Sequence, residues 1–166
     1  MPESITPAFL EQATVCRLMA DIAKFVFDTF SLGNPDMHVL MLVPEMKKMG
    51  SYPAHEIVPF VFARYTNGDA LVPKQALYQD LAECKALQLW DDRNFGGPNS
   101  VPHLLLRGDT PYWGGVKRDG IVVACSGLAS HYDRMLSSMV ADACIAIAHG
   151  NYLAWRDANS GVDYVD

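Results

Sequence analysis

The sequence predicts an α+β domain, an antiparallel sheet with helices segregated to its faces or ends. Three observations predict it. Apolar residues recur at spacings of three and four in three long segments. Short apolar runs too brief for buried helices lie between those segments. Asn67-Gly68 and Asp119-Gly120 supply hairpin turns, and no βαβ rhythm is present. At 166 residues the chain reads as one domain, residues 1–166, because two would leave undersized cores.

Thr6 followed by Pro7 reads as a helix start, a hydroxyl cap and then proline at the first helical position. Phe9, Cys16, Met19, Ala23, Val26 and Phe30 then form one stripe, which Gly33-Asn34-Pro35 stops. His38 to Val43 is a central strand, Pro44 to His55 a loop, and Glu56 to Tyr65 a second strand that Pro59 marks as an edge or a bulge. Gln75 to Trp90 is a helix with Leu77, Leu81, Cys84 and Gln88 on one face. Val101 to Arg107 reads as a strand, and the Asp119-Gly120 hairpin joins Gly115–Lys117 to Ile121–Ser126. Ser130 opens the last helix, with Asp133 completing a shortened capping box and the tail fraying after Trp155.

The net charge is -6 with both signs mixed along the chain, so the basic stripe that nucleic-acid binding requires is missing. Apolar runs such as Ile121 to Cys125 are too short to span a bilayer, and the N-terminus lacks the basic start of a secretory signal. Cys16, Cys84, Cys125 and Cys144 are widely spaced and form no zinc motif, which reads as reduced core thiols in a cytoplasmic protein. No Walker loop, GxGxxG, GxSxG elbow or HExxH is present. Any catalysis must therefore be assembled from dispersed residues.

Gly114-Gly115-Val116, Arg118-Asp119-Gly120, the Ile121-Val122-Val123 strand ending in Ser126-Gly127, and Asp133 together resemble the GlcG/HbpS-like "haem-degrading" family. Ala82-Glu83-Cys84-Lys85-Ala86 is similar to that family's middle-helix segment, with Leu87 and Gln88 standing where the family carries arginine and threonine. The resemblance implies a profilin-like fold in α-β-β-α-β-β-β-α order, assembly into dimers or larger homo-oligomers, and a small-molecule ligand. Haem or another tetrapyrrole is the cofactor it brings to mind.

Several residues are candidates for a site. His131, in the first turn of the last helix, is held neutral by the helix terminus and suits an axial ligand or a general base, or is a solvated first-turn residue. His103 alternates with Leu105 and Arg107 on a strand face, as a core-edge histidine or a pocket base beside Arg107. Asp133 is a helix-start carboxylate or a catalytic one, and Lys85 either snorkels or holds an anionic substrate. Gly114 and Gly115 permit a tight turn or the close approach of a ligand, with Tyr112 and Trp113 as an aromatic wall. These residues support three functions: a pocket for a planar or aromatic small molecule, a cofactor-independent acid/base isomerase, lyase or hydrolase, and a structural subunit. Broad apolar coverage of the first and last helices, from Phe25 to Phe30 and from Met135 to Trp155, predicts a homo-oligomer.

Overall fold

The computed structural model describes residues 4–33, 36–49, 54–68, 73–98, 101–163 and 165. Its elements run β1 (Ser4–Ile5), α1 (Gln12–Phe30), β2 (Met37–Met49), β3 (Ala54–Asn67), α2 (Pro73–Trp90), a 3₁₀ turn (Pro102–Leu104), β4 (Gly115–Arg118), β5 (Ile121–Ser126) and α3 (Ser130–Ala158). The strands form one antiparallel sheet in the order β3-β2-β5-β4. The two residues of β1 lie against the far half of β2, pairing Ser4 with Lys47 and Ile5 with Met46. The chain is thus α+β, with an antiparallel sheet flanked by helices.

The all-apolar runs are explained by cover on both faces of the sheet. Val39, Met41 and Val43 of β2, with Val123 and Cys125 of β5, pack against α1 and α3. Leu40 and Leu42, with Val122 and Ala124, face the small residues Ala82 and Ala86 of α2. A strand buried on both faces loses its alternation, so β5 is buried at every position. Closing β5 onto β4 falls to Asp119 and Gly120, both at positive φ (45° and 89°), as a two-residue hairpin turn needs.

Pro59 sits on the edge strand β3, as its position in the sequence suggests, and the ladder slips one residue between Met41 and Leu42, leaving Phe62 as a bulge. The expected loop from Pro44 to His55 is instead mostly sheet. Pro44 pairs with Pro59, so the two residues that lack N–H donors face each other and the ladder loses nothing by continuing to Met49. Residues 50–53 of that expected loop lie outside the described residues.

Three further expectations are corrected. Helix α1 begins at Gln12, not at Thr6-Pro7. The segment before it is drawn onto the sheet by β1, and Phe9 packs its ring on Tyr152 and Trp155 of α3. The helix ends at Phe30, with Ser31 left-handed; Asn34 and Pro35 of the expected stop lie outside the described residues. Val101–Arg107 is not a strand: Pro102 starts a 3₁₀ turn, and none of its residues is buried. No sheet edge takes that segment, because its end is tied to α2 instead, through the backbone of Thr110. In α2 the buried side is Gln75, Ala82, Lys85, Ala86, Gln88 and Leu89, while Leu77 is 53% exposed. Two alanines let α2 lie close on the sheet, and that rotates the larger leucines outward. Helix α3 runs on to Ala158, past the expected fraying point.

His38 sits on the α2 side of β2, 1% exposed, its Nδ1 2.8 Å from Thr66 Oγ1 and its Nε2 buried with no hydrogen-bond partner among the described residues. Burial, aided by the Arg64 charge, pushes the imidazole down from 6.5 to about 4. Above pH 6.5 both folded and unfolded chains hold it neutral. Between 6.5 and 4 only the unfolded chain takes the proton, so stability present at neutral pH is lost as pH falls through that window. The full loss is roughly 3 kcal/mol. Urea midpoints at pH 7.5 and 4.5 should show His38→Gln losing roughly 2 kcal/mol less than the native chain. Equal losses would remove His38 as the source.

Candidate functional site

A cleft of about 400 Å³ opens where β5 ends and α3 begins. Leu77, Tyr78, Leu81 and Lys85 of α2 form one wall. Ser126, Gly127 and Leu128 form the end of the cleft, with Ser130 and Asp133 of α3 beside them and Tyr112 entering from the preceding loop. Its body is apolar and aromatic, with polar groups at one end, the usual make-up of a small-molecule site.

The polar end is built on one ion pair. Lys85 Nζ lies 3.1 Å from Asp133 Oδ2, and both side chains are 2% exposed. Lys85 also donates to the Cys125 carbonyl at 2.9 Å, and Asp133 Oδ1 accepts the Leu128 N–H at 3.1 Å. The lysine therefore does not snorkel. Its stem passes through the α2 layer and its ammonium ends between β5 and α3. Nor does Asp133 close a capping box. The N-cap is Ala129, without a side-chain cap, and the carboxylate reaches back to Leu128 and across to α2. Burial pushes the Asp133 carboxyl up, against the opposing pull of the Lys85 charge. Burial likewise holds the Cys125 thiol well above its usual range, with the neighbouring Asp133 charge adding to the effect.

Glycine makes this approach feasible. Gly114, at φ 129°, would place a Cβ 2.5 Å from the Asp133 Cβ, so only glycine lets the start of β4 pass the carboxylate. Gly114 and Gly115 are buried against protein, the latter against Leu89 and Val123, and neither lines the cleft.

The loop carrying Tyr112 is fixed by Gln88. Its Nε2 donates to the Thr110 carbonyl at 3.1 Å, and its Oε1, with the Cys84 sulfur, accepts the Thr110 N–H at 3.2 Å. An ion pair between Arg93 and Asp109 holds the same loop one residue earlier. Gln88 thus has a positioning task.

Of the residues singled out in the sequence, the structure gathers Lys85, Asp133 and Tyr112 in the cleft, with Gly114 packed behind Asp133. Trp113 turns away into a narrow crevice with Arg93 and Val101. His131 is exposed on α3, its ring against Tyr132, outside the cleft lining. His103 is exposed in the 3₁₀ turn and Arg107 is exposed just beyond it, so the expected strand face joining them is not formed. Sequence reasoning missed Tyr78, Leu81, Ser126 as a pocket group, and Ser130; the Ser126-Gly127 pair was the one available signal.

Among the described residues the cleft walls offer no imidazole, thiolate or thioether, so this donor set does not fit a haem ligated through those groups. Among the described residues no cluster of three or more His, Cys, Asp or Glu could hold a metal ion, and no helix is long and apolar enough to cross a membrane. No protein-family model matches the chain, and neither does any curated protein or solved structure.

Removing one member of a buried pair leaves the other charge uncompensated, at a cost of about 3–5 kcal/mol. Lys85→Met should therefore lower unfolding stability by about that amount, and Asp133→Asn by somewhat less. The double variant should cost at least about 2 kcal/mol less than the sum of the two singles. Urea denaturation of all four proteins checks this, and additive losses would mean that the pair is not coupled.

Proposed function

We propose that the chain is a small-molecule-binding protein whose ligand has a planar or aromatic body and lies in the cleft between α2 and the start of α3. One observation carries this reading. Leu77, Leu81, Leu128, Tyr78 and Tyr112 surround a space of about 400 Å³ that ends on a buried ion pair. Apolar walls supply affinity through the area that they remove from water, and a few fixed polar groups set orientation. The likeness to the GlcG/HbpS family agrees with this reading, since its Lys85, Ser126-Gly127 and Asp133 positions meet at the polar end of the cleft. Haem belongs to that likeness, but the described residues lining the cleft supply no imidazole, thiolate or thioether to ligate it. The free cysteines Cys16, Cys84, Cys125 and Cys144 suit a reducing, cytoplasmic setting.

A second reading, acid/base catalysis without a cofactor, is favoured by the Asp133 carboxyl. Burial raises its pKa, and it sits on the cleft beside an ammonium group, an arrangement found where proton transfer is run.

Assembly is the third element of the proposal. Phe25 (51% exposed) and Phe30 (39%) on α1, and Ile57 (63%) on the edge strand, stay uncovered in the single chain, which favours a homo-oligomer.

A neutral planar probe, 2-naphthamide, should bind the native chain, as read by fluorescence titration. Leu81→Asp, which places a charge on the apolar wall, should weaken it at least about tenfold. Binding that ignores both Leu81→Asp and Tyr112→Ala would overturn the cleft as the site. Sedimentation equilibrium at low micromolar concentration should give at least a dimer, and a single species at the mass of one chain would refute assembly.

A further inference from the structure

The polar end of the cleft is rich in donors that none of the described residues accepts. Ser126 is 3% exposed and lines the cleft, yet among the described residues none gives its hydroxyl a hydrogen-bond partner. Lys85 has three N–H donors and, among the described residues, two acceptors, the Cys125 carbonyl and Asp133, so one donor has no acceptor among them. Helix α3 starts beside them. The Ala129 carbonyl takes the N–H groups of Tyr132 and Asp133, and no side chain caps the helix, so the first N–H groups, at Ser130 and His131, have no helical acceptor.

The charges at this end select the sign of the ligand. Among the described residues, Lys85 and Asp133 are the charged ones that line the cleft, and they cancel. What remains is the field of a 29-residue helix, about half a positive charge at its N-terminus. Asp133 is already occupied by Lys85 and by the Leu128 N–H, so its lone pairs are not an open invitation to a cationic group.

We propose that this end of the cleft is an oxyanion subsite, in which Ser126, the spare Lys85 donor and the uncapped start of α3 take the carboxylate of a small aromatic or apolar acid. The inference rests on the cleft being the ligand site and adds the ligand's chemical class. The acid's body lies against Leu81, Leu128 and Tyr112, and its carboxylate replaces water on buried donors that are held in place before it arrives. Preorganised donors of this kind recognise an anion at little ordering cost.

The test compares 2-naphthoate with its neutral twin 2-naphthamide by isothermal titration calorimetry on the full chain at pH 7.5. The native protein should bind the carboxylate at least about tenfold more tightly than the amide, the range expected for one charge-assisted hydrogen bond. Ser126→Ala should remove most of that preference. Ser126→Asp should reverse it, so that the amide becomes the tighter ligand of the two. Lys85→Met tests the second donor, and the two Ser126 variants stand by themselves should it fail to fold. Equal affinity for the two probes would overturn the subsite and leave the cleft reading intact. Amide binding that ignores Leu81→Asp and Tyr112→Ala, or failure of both probes to bind at millimolar concentration, would overturn the cleft and the subsite together.

Discussion

An ammonium group withdrawn from water to 2% exposure has to be answered by charge and hydrogen bonds, and in this protein a single carboxylate and a single carbonyl do it. The constraint reaches further than one contact. Lys85 stands on α2, its carbonyl partner on β5 and its carboxylate partner on α3, so satisfying it fixes a helix on one face of the sheet relative to a helix on the other. Gly114 is the backbone's concession to that arrangement, since any side chain there would collide with Asp133. Hydrophobic pairs of the same volume often hold such elements equally well or better. The polar solution therefore points to something besides stability, and its position on a cleft is where such a return would be found.

The location of that cleft follows from the layering. Helix α2 alone covers one face of the sheet, whereas α1 and α3 share the other. The first half of α2 faces the turn that leads from β5 through Ser126-Gly127 into α3. There Leu77 and Leu81 line the cleft instead of joining the core, and Leu77 is 53% exposed. The loop that carries Tyr112 to the opening is held by the amide of Gln88, which imitates a ladder pairing with Thr110.

How much of this was legible in the sequence depended on the period of the signal. The order of helices and hairpins could be read because Asp119-Gly120 and the central apolar runs carry local instructions. Val101–Arg107 misled because its apolar residues alternate as a strand's do, although Pro102 and the tie at Thr110 decide its shape. The α2 face was placed on Leu77, Leu81, Cys84 and Gln88, when close packing on the sheet turns Ala82, Lys85 and Ala86 inward together with Gln88 and Leu89. Lys85 and Asp133 were both marked as site candidates, but each singly, with a snorkel or a cap as its local alternative. Their partnership spans 48 residues, and no window along the chain contains it. Ser126 was seen as half of a motif and not as a donor, since an unmet hydrogen bond shows only in three dimensions.

Partnership across that distance also sets how the proposed subsite would discriminate between ligands. A lysine near a helix start, exposed, would attract any anion weakly and lose it to salt. Here the lysine charge is neutralised by Asp133, so long-range attraction is small and recognition falls to short-range donors of fixed direction. The Ser126 hydroxyl is held on a strand that is buried on both faces, and the α3 terminus is held by the same carboxylate that neutralises the lysine. Neutralisation and orientation are thus performed by one residue. An acceptor of the wrong shape would find the donors but could not satisfy them together, and that is the physical basis on which such a site would choose among acids of similar charge.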